Sequence, residues 1–146
     1  AGEAVTADDG KTFRGYGEGD SVTFYLDTAK NPKGFDITKI ITFAGHADSR
    51  AGQNYAVSIA LASAPDKFIP LVQSASAQCD GGSSEVIIAN RTGGPLDNGK
   101  GVRASRVAAI RFDFRNGSVQ GGIGLGFNVY REINVIGAPT DGARKP

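Results

Sequence analysis

Apolar and polar positions alternate along this chain with the period of two that a sheet with one buried face requires. The pattern is clearest over residues 35–61, where two runs flank a polar loop. Phe35, Ile37, Ile41 and Phe43 fall on one side of the first run, interrupted only by Lys39. Tyr55, Val57, Ile59 and Leu61 fall on one side of the second, against Ala56, Ser58 and Ala60. Earlier, Val22, Phe24 and Leu26 alternate with Thr23, Tyr25 and Asp27. Later, Ala108, Ile110, Phe112 and Phe114 alternate with Ala109, Arg111 and Asp113, and the pattern closes on Leu125, Phe127 and Val129, then Ile133 and Val135. Residues 86–89 form another short apolar run. Residues 68–72 contain Pro70, which lacks the amide proton a central strand needs and so predicts an edge strand or a bulge.

Helical periodicity is missing: no window of about a dozen residues carries the i, i+3, i+4, i+7 repeat without a Gly or Pro intruding. Turn chemistry separates the strand-like runs instead. Asp9-Gly10, Asp80-Gly81, Asn98-Gly99 and Asn116-Gly117 all favour positive φ in tight turns. Short strands at this spacing predict an all-β fold, an antiparallel β-sandwich. The expected module covers residues 1–137, and residues 138–146, without apolar pattern, read as a linker or tail.

Length and composition narrow the classes. A chain of 146 residues makes one domain with a core of its own. Its 16 basic and 15 acidic residues leave a formal charge of +1, which argues against a nucleic-acid partner, since such partners select a pronounced basic surface. No apolar run reaches the roughly 18 residues of a membrane helix, so no membrane insertion is expected. Cys79 is the only cysteine, which excludes an internal disulfide and a cysteine-based zinc site.

The segment VAAIRFDF, a glycine-rich turn and then GFNVYREINVIG resembles the last strands of galactose-binding-like, discoidin-type domains, found in many carbohydrate-binding modules. Their closing strand carries a Glu-hydrophobic-x-Val-x-Gly ending, matched here by Glu132-Ile133-Asn134-Val135-Ile136-Gly137. SVTFYLDT is similar to their early strand, and DITKIITFAG with NYAVSIALAS to their central pair, so the resemblance spans residues 5–137. It implies jelly-roll topology and non-catalytic binding of a polysaccharide or other glycan. One departure stands out: those modules often place a tryptophan in or near the sugar site, and this chain has none.

The loop between the central strands holds the best recognition candidates: His46, Asp48, Arg50, Gln53 and Asn54. Sugar hydroxyls both donate and accept, so a site for them mixes carboxylate, guanidinium and amide groups with an aromatic face for the ring. The alternative is that Asp48 and Arg50 pair with each other and lock the loop. Arg91, beside Asn90 in a Gly/Pro/Asn-rich stretch, is a second donor that could reach the same rim or simply line a solvated turn. Tyr16, Tyr25, Phe35 and Phe68 are the candidate aromatic platforms. The resemblance further implies a structural Ca²⁺ held by Asp9, Thr12 and Glu132, oxygen ligands suited to a hard cation, with Lys11 as an opposing charge.

Catalytic signatures are thin. There is no G-x-S-x-G elbow, and Cys79 lies in a QCDGGSS turn without a nucleophile signature. The expectation is a glycan-binding module, secreted or extracellular, within a larger multidomain bacterial protein. A structural or adhesive β-domain without a sugar pocket is the alternative, and a small hydrolase comes third.

Overall fold

The computed structural model describes residues 3–4, 14–89, 103–117, 119–120, 123–124 and 126–141. Its strands are β1 (Glu3–Ala4), β2 (Arg14–Gly17), β3 (Ser21–Tyr25), β4 (Phe35–His46), β5 (Gln53–Leu61), β6 (Ala64–Ala77), β7 (Gly82–Ala89), β8 (Ala104–Phe114), β9 (Val119–Gln120), β10 (Ile123–Gly124) and β11 (Phe127–Pro139). Among the described residues the only helical element is a 3₁₀ turn, Ser49–Ala51. The expected all-β, antiparallel sandwich is what forms.

Among the described residues nine strands make one antiparallel sheet, in the order β1-β11-β4-β8-β5-β6, with β2 beside β11, β3 beside β8 and β7 beside β4. It folds into two layers. One holds β1 and β2, β11, β4 and β7, and the other β3, β8, β5 and β6. They join where the start of β4 also pairs with the start of β8, Phe35 opposite Val107 and Ile37 opposite Ala104. The edge role expected from Pro70 is fulfilled, since β6 ends the strand order, although it runs well beyond residues 68–72.

Between the layers lie Ile37, Ile40, Tyr130 and Val135 from one and Tyr55, Val57, Ile110, Phe112 and Phe114 from the other, all buried. Each such side chain contributes about 1.5–3 kcal/mol by leaving water. Aromatic rings fill one end of this core. Tyr16 stacks on Phe114 with centroids 4.2 Å apart, and Tyr130 packs against Phe114 at 4.9 Å and Tyr55 at 6.1 Å.

Two bulges reset which face the apolar residues occupy. In β4, Ile37 pairs with Gly137 and Lys39 with Ile136, so Thr38 is an extra residue and donates its hydroxyl to the Ile136 carbonyl at 3.1 Å. Gly137 is required there, because a Cβ would sit 2.2 Å from the Asp36 carbonyl oxygen. Beyond the bulge the buried positions are Ile40, Thr42, Ala44 and Gly45. Ile41 and Phe43 therefore do not share the core face of Phe35 and Ile37, as strict alternation had predicted, and Lys39 marks the change of phase. The second bulge makes Arg131 the extra residue of β11, between the pairs Tyr130–Ala44 and Glu132–Phe43. Asn128 and Tyr130 point inward before it, Ile133 and Val135 after it, and Phe127 is left outside, 37% exposed.

Two smaller expectations are also corrected. Gly117 does not take positive φ. It is small because a Cβ would lie 2.8 Å from the Asn54 Cβ. Pairing in β11 continues past Gly137 to Pro139, and Thr140 donates its N–H to the Gly34 carbonyl and its hydroxyl to Asp36.

Candidate functional site

The ends of β2, β4 and β8 and the starts of β5 and β11 converge at one end of the sandwich, above the aromatic part of the core. Three of the loop candidates come together there. Asp48 is the extended residue that caps the 3₁₀ turn, its Oδ1 accepting the Arg50 N–H at 3.0 Å. The same carboxylate takes a guanidinium fork, from Arg50 Nε at 2.9 Å and Nη2 at 2.5 Å. His46 Nδ1 lies 3.1 Å from Asp48 Oδ1. This hydrogen-bonded guanidinium holds the Asp48 carboxyl well below the usual carboxylate range, and Asp48 in turn raises the pKa of Arg50. All three side chains remain 22–33% exposed, so the pair is both a loop lock and part of the surface. Gly52 lets the turn lie flat on β6, since a Cβ would meet the Ala77 carbonyl at 2.8 Å.

Gln53 does not belong to this surface. It is buried, and its amide is the centre of a polar plug between the layers. Its Nε2 donates toward the Thr42 and Ser84 carbonyls and Ser84 Oγ, each at 3.1 Å, and its Oε1 accepts from the Thr42 hydroxyl at 2.5 Å. Because Oε1 can only accept, the Thr42 proton is committed to it, and the Tyr55 hydroxyl, 2.7 Å away, must donate to Thr42. Burial pushes the Tyr55 phenol up to about 12. A sequence signal existed: Gln53 stands two residues before Tyr55, in phase with Val57 and Ile59.

Asn54 is half-buried and anchored through its backbone, donating to the Tyr130 hydroxyl at 3.0 Å and accepting from the Arg115 N–H at 3.0 Å. Among the described residues its buried Oδ1 has no hydrogen-bond partner, and neither has Nδ2 of the buried Asn128. Burial likewise raises the Tyr130 phenol far above its ordinary value.

The residue that completes the surface is Phe127, absent from the expected platforms. Of those, Phe35 is buried, Tyr16 packs on the core, Phe68 lies beneath the Arg111 guanidinium, and Tyr25 projects from an edge strand. The Phe127 ring lies across Gly15, where a Cβ would come within 2.7 Å of Cδ2, and Arg50 places its guanidinium 5.4 Å from the ring centroid. Beside the ring is an open concavity of about 450 Å³, lined by Gly15, Gly17, Glu18, Asp20, Gly126 and Phe127. Glycines at alternate positions of β2 leave the floor bare, and the ring and two carboxylates form its walls.

Arg91, Asn90, Asp9 and Thr12 lie outside the described residues. Of the expected calcium ligands only Glu132 is described. Its Oε1 accepts from Asn134 Nδ2 at 2.6 Å. Among the described residues no group of three His, Cys, Asp or Glu side chains is placed to hold a metal ion.

No family model, curated protein or solved structure matches this chain. The geometry defines a class: an all-β antiparallel sandwich with a polar and aromatic surface at one end.

Proposed function

We propose that this chain is a non-catalytic glycan-binding module of a larger extracellular bacterial protein, with the jelly-roll connectivity of galactose-binding-like domains. The observation that supports this reading is the outward Phe127 ring, packed against Gly15 beside the Asp48–Arg50 fork and an open concavity. A sugar ring needs an apolar plate for its C–H face and fixed donors and acceptors for its hydroxyls. Phe127 is the plate, Arg50 and His46 are donors, and Glu18, Asp20 and Asp48 are acceptors. Affinity is expected in the µM to mM range, because each sugar hydroxyl must shed water before it pairs.

A glycan array on the isolated domain, followed by titration of the best hit, tests the reading. Phe127→Ala should abolish binding with the melting temperature retained. Gly15→Ala keeps the aromatic ring but displaces it, since the ring is the movable partner in that contact, and should weaken binding nearly as much. Wild-type binding by both variants would overturn the assignment. The adhesive-domain reading draws on Asp48 and Arg50 satisfying each other, and it predicts an empty array.

A further inference from the structure

We propose that the concavity between β2 and β11 is selective for sugars bearing a free primary ammonium, so that the natural ligand is a polymer containing unacetylated amino sugars. The inference rests on the glycan-binding reading above and names its substrate class.

Two carboxylates are held ready in the concavity. Residues 17–20 form a tight turn, with Gly19 at φ +88° and the Asp20 N–H bonded to the Gly17 carbonyl at 3.1 Å. The turn folds the Asp20 side chain back, so that Oδ2 accepts the Gly17 N–H at 2.8 Å. Glu18 is fixed from the neighbouring loop, its Oε2 accepting the Asn116 N–H at 3.1 Å. Each carboxylate thus has one oxygen engaged by backbone and one available. Among the described residues neither lies within ion-pair distance of a basic side chain, unlike Asp48, which is matched by Arg50. Around the Phe127 ring, the described side chains Glu18, Asp20 and Asp48 stand against the guanidinium of Arg50, which pairs with Asp48.

The cation position over the Phe127 ring is already taken by the Arg50 guanidinium, 5.4 Å from its centroid, so the preference rests on the two carboxylates. A neutral sugar would meet the free oxygens with hydroxyl donors alone. An ammonium brings three donors and a charge, and hydrogen bonds between ionised partners are about twice as strong as neutral ones. N-acetylation removes the charge and leaves a single N–H, so acetylated and free amino sugars separate the two cases.

The test is titration calorimetry of the whole chain with glucosamine oligomers, their fully N-acetylated counterparts of equal length, neutral hexose oligomers and lysine oligomers. The variants are Glu18→Gln and Asp20→Asn, which keep an acceptor oxygen for the backbone N–H and so should melt like the wild type. The expected result is that glucosamine oligomers bind about tenfold or more tightly than acetylated ones, and that each variant forfeits about that factor. Binding should also weaken steeply with added salt. Equal binding of acetylated or neutral oligomers, untouched by either variant, overturns the ammonium selectivity while leaving the glycan reading in place. Lysine oligomers bound through Glu18 and Asp20 with no sugar bound would make the site a reader of basic peptides and overturn the proposal. No binding to any oligomer, together with an empty array, removes both.

Discussion

Replacing Gln53 with leucine tests whether the start of β5 is structural or part of the binding surface. Leucine nearly conserves volume, so the main effect is electrostatic rather than a cavity. Four groups lose a partner: the Thr42 carbonyl, the Ser84 carbonyl and Ser84 Oγ lose the Nε2 donors, and the Thr42 hydroxyl loses Oε1. Each buried group left unsatisfied costs about 1–3 kcal/mol. Two relaxations reduce the sum. Ser84 Oγ keeps its bond to the Ala51 carbonyl, and the Thr42 proton is free to turn toward Tyr55. The expected destabilisation is therefore about 2–4 kcal/mol, read as a lower midpoint in urea unfolding followed by tyrosine fluorescence. Gln53→Glu supplies a sign. Burial disfavours the carboxylate and raises its folded pKa, so the folded state holds a proton that the unfolded state releases. Stability of that variant should be greater near pH 4 than near pH 7, whereas the leucine variant should show no such added dependence. A leucine variant within about 0.5 kcal/mol of wild type that also lost glycan binding would refute the reasoning and return Gln53 to the surface.

Two further outcomes follow from the structure. Tyr55 is raised to about 12 and Tyr130 is raised as well, both from 10.0, so the folded state keeps phenol protons that the unfolded chain releases. Stability should hold up to about pH 10 and fall through about pH 12, by about 1.4 kcal/mol per tyrosine at pH 11; a urea midpoint unchanged from pH 8 to 11 would count against both buried phenols. If Glu132 shares a calcium ion with Asp9 and Thr12, EDTA should lower the melting temperature and excess Ca²⁺ restore it, the stabilisation being about 2.7 kcal/mol at a hundredfold excess over Kd. Superimposable melts with and without chelator would remove calcium from the account.

The sequence by itself determined the strands, their antiparallel class and the loop that gathers His46, Asp48 and Arg50. All of these are local. Alternation is a property of neighbouring residues, and an Asp two positions before an Arg can cap a turn and fork to it without help from elsewhere. Gln53 was legible in principle, because it keeps the phase of Tyr55 and Val57, but its polarity suggested a surface that burial contradicts. The bulges at Thr38 and Arg131 belong to pairs of strands rather than to either strand alone. They decide which face each apolar residue takes, and so turned Ile41, Phe43 and Phe127 away from the positions that strict alternation assigns. Only tertiary structure could lay the Phe127 ring on Gly15 and set Glu18 against the backbone of Asn116. Those contacts join segments about a hundred residues apart in the chain, and their register is set by strand pairing across the sheet, which no local pattern encodes.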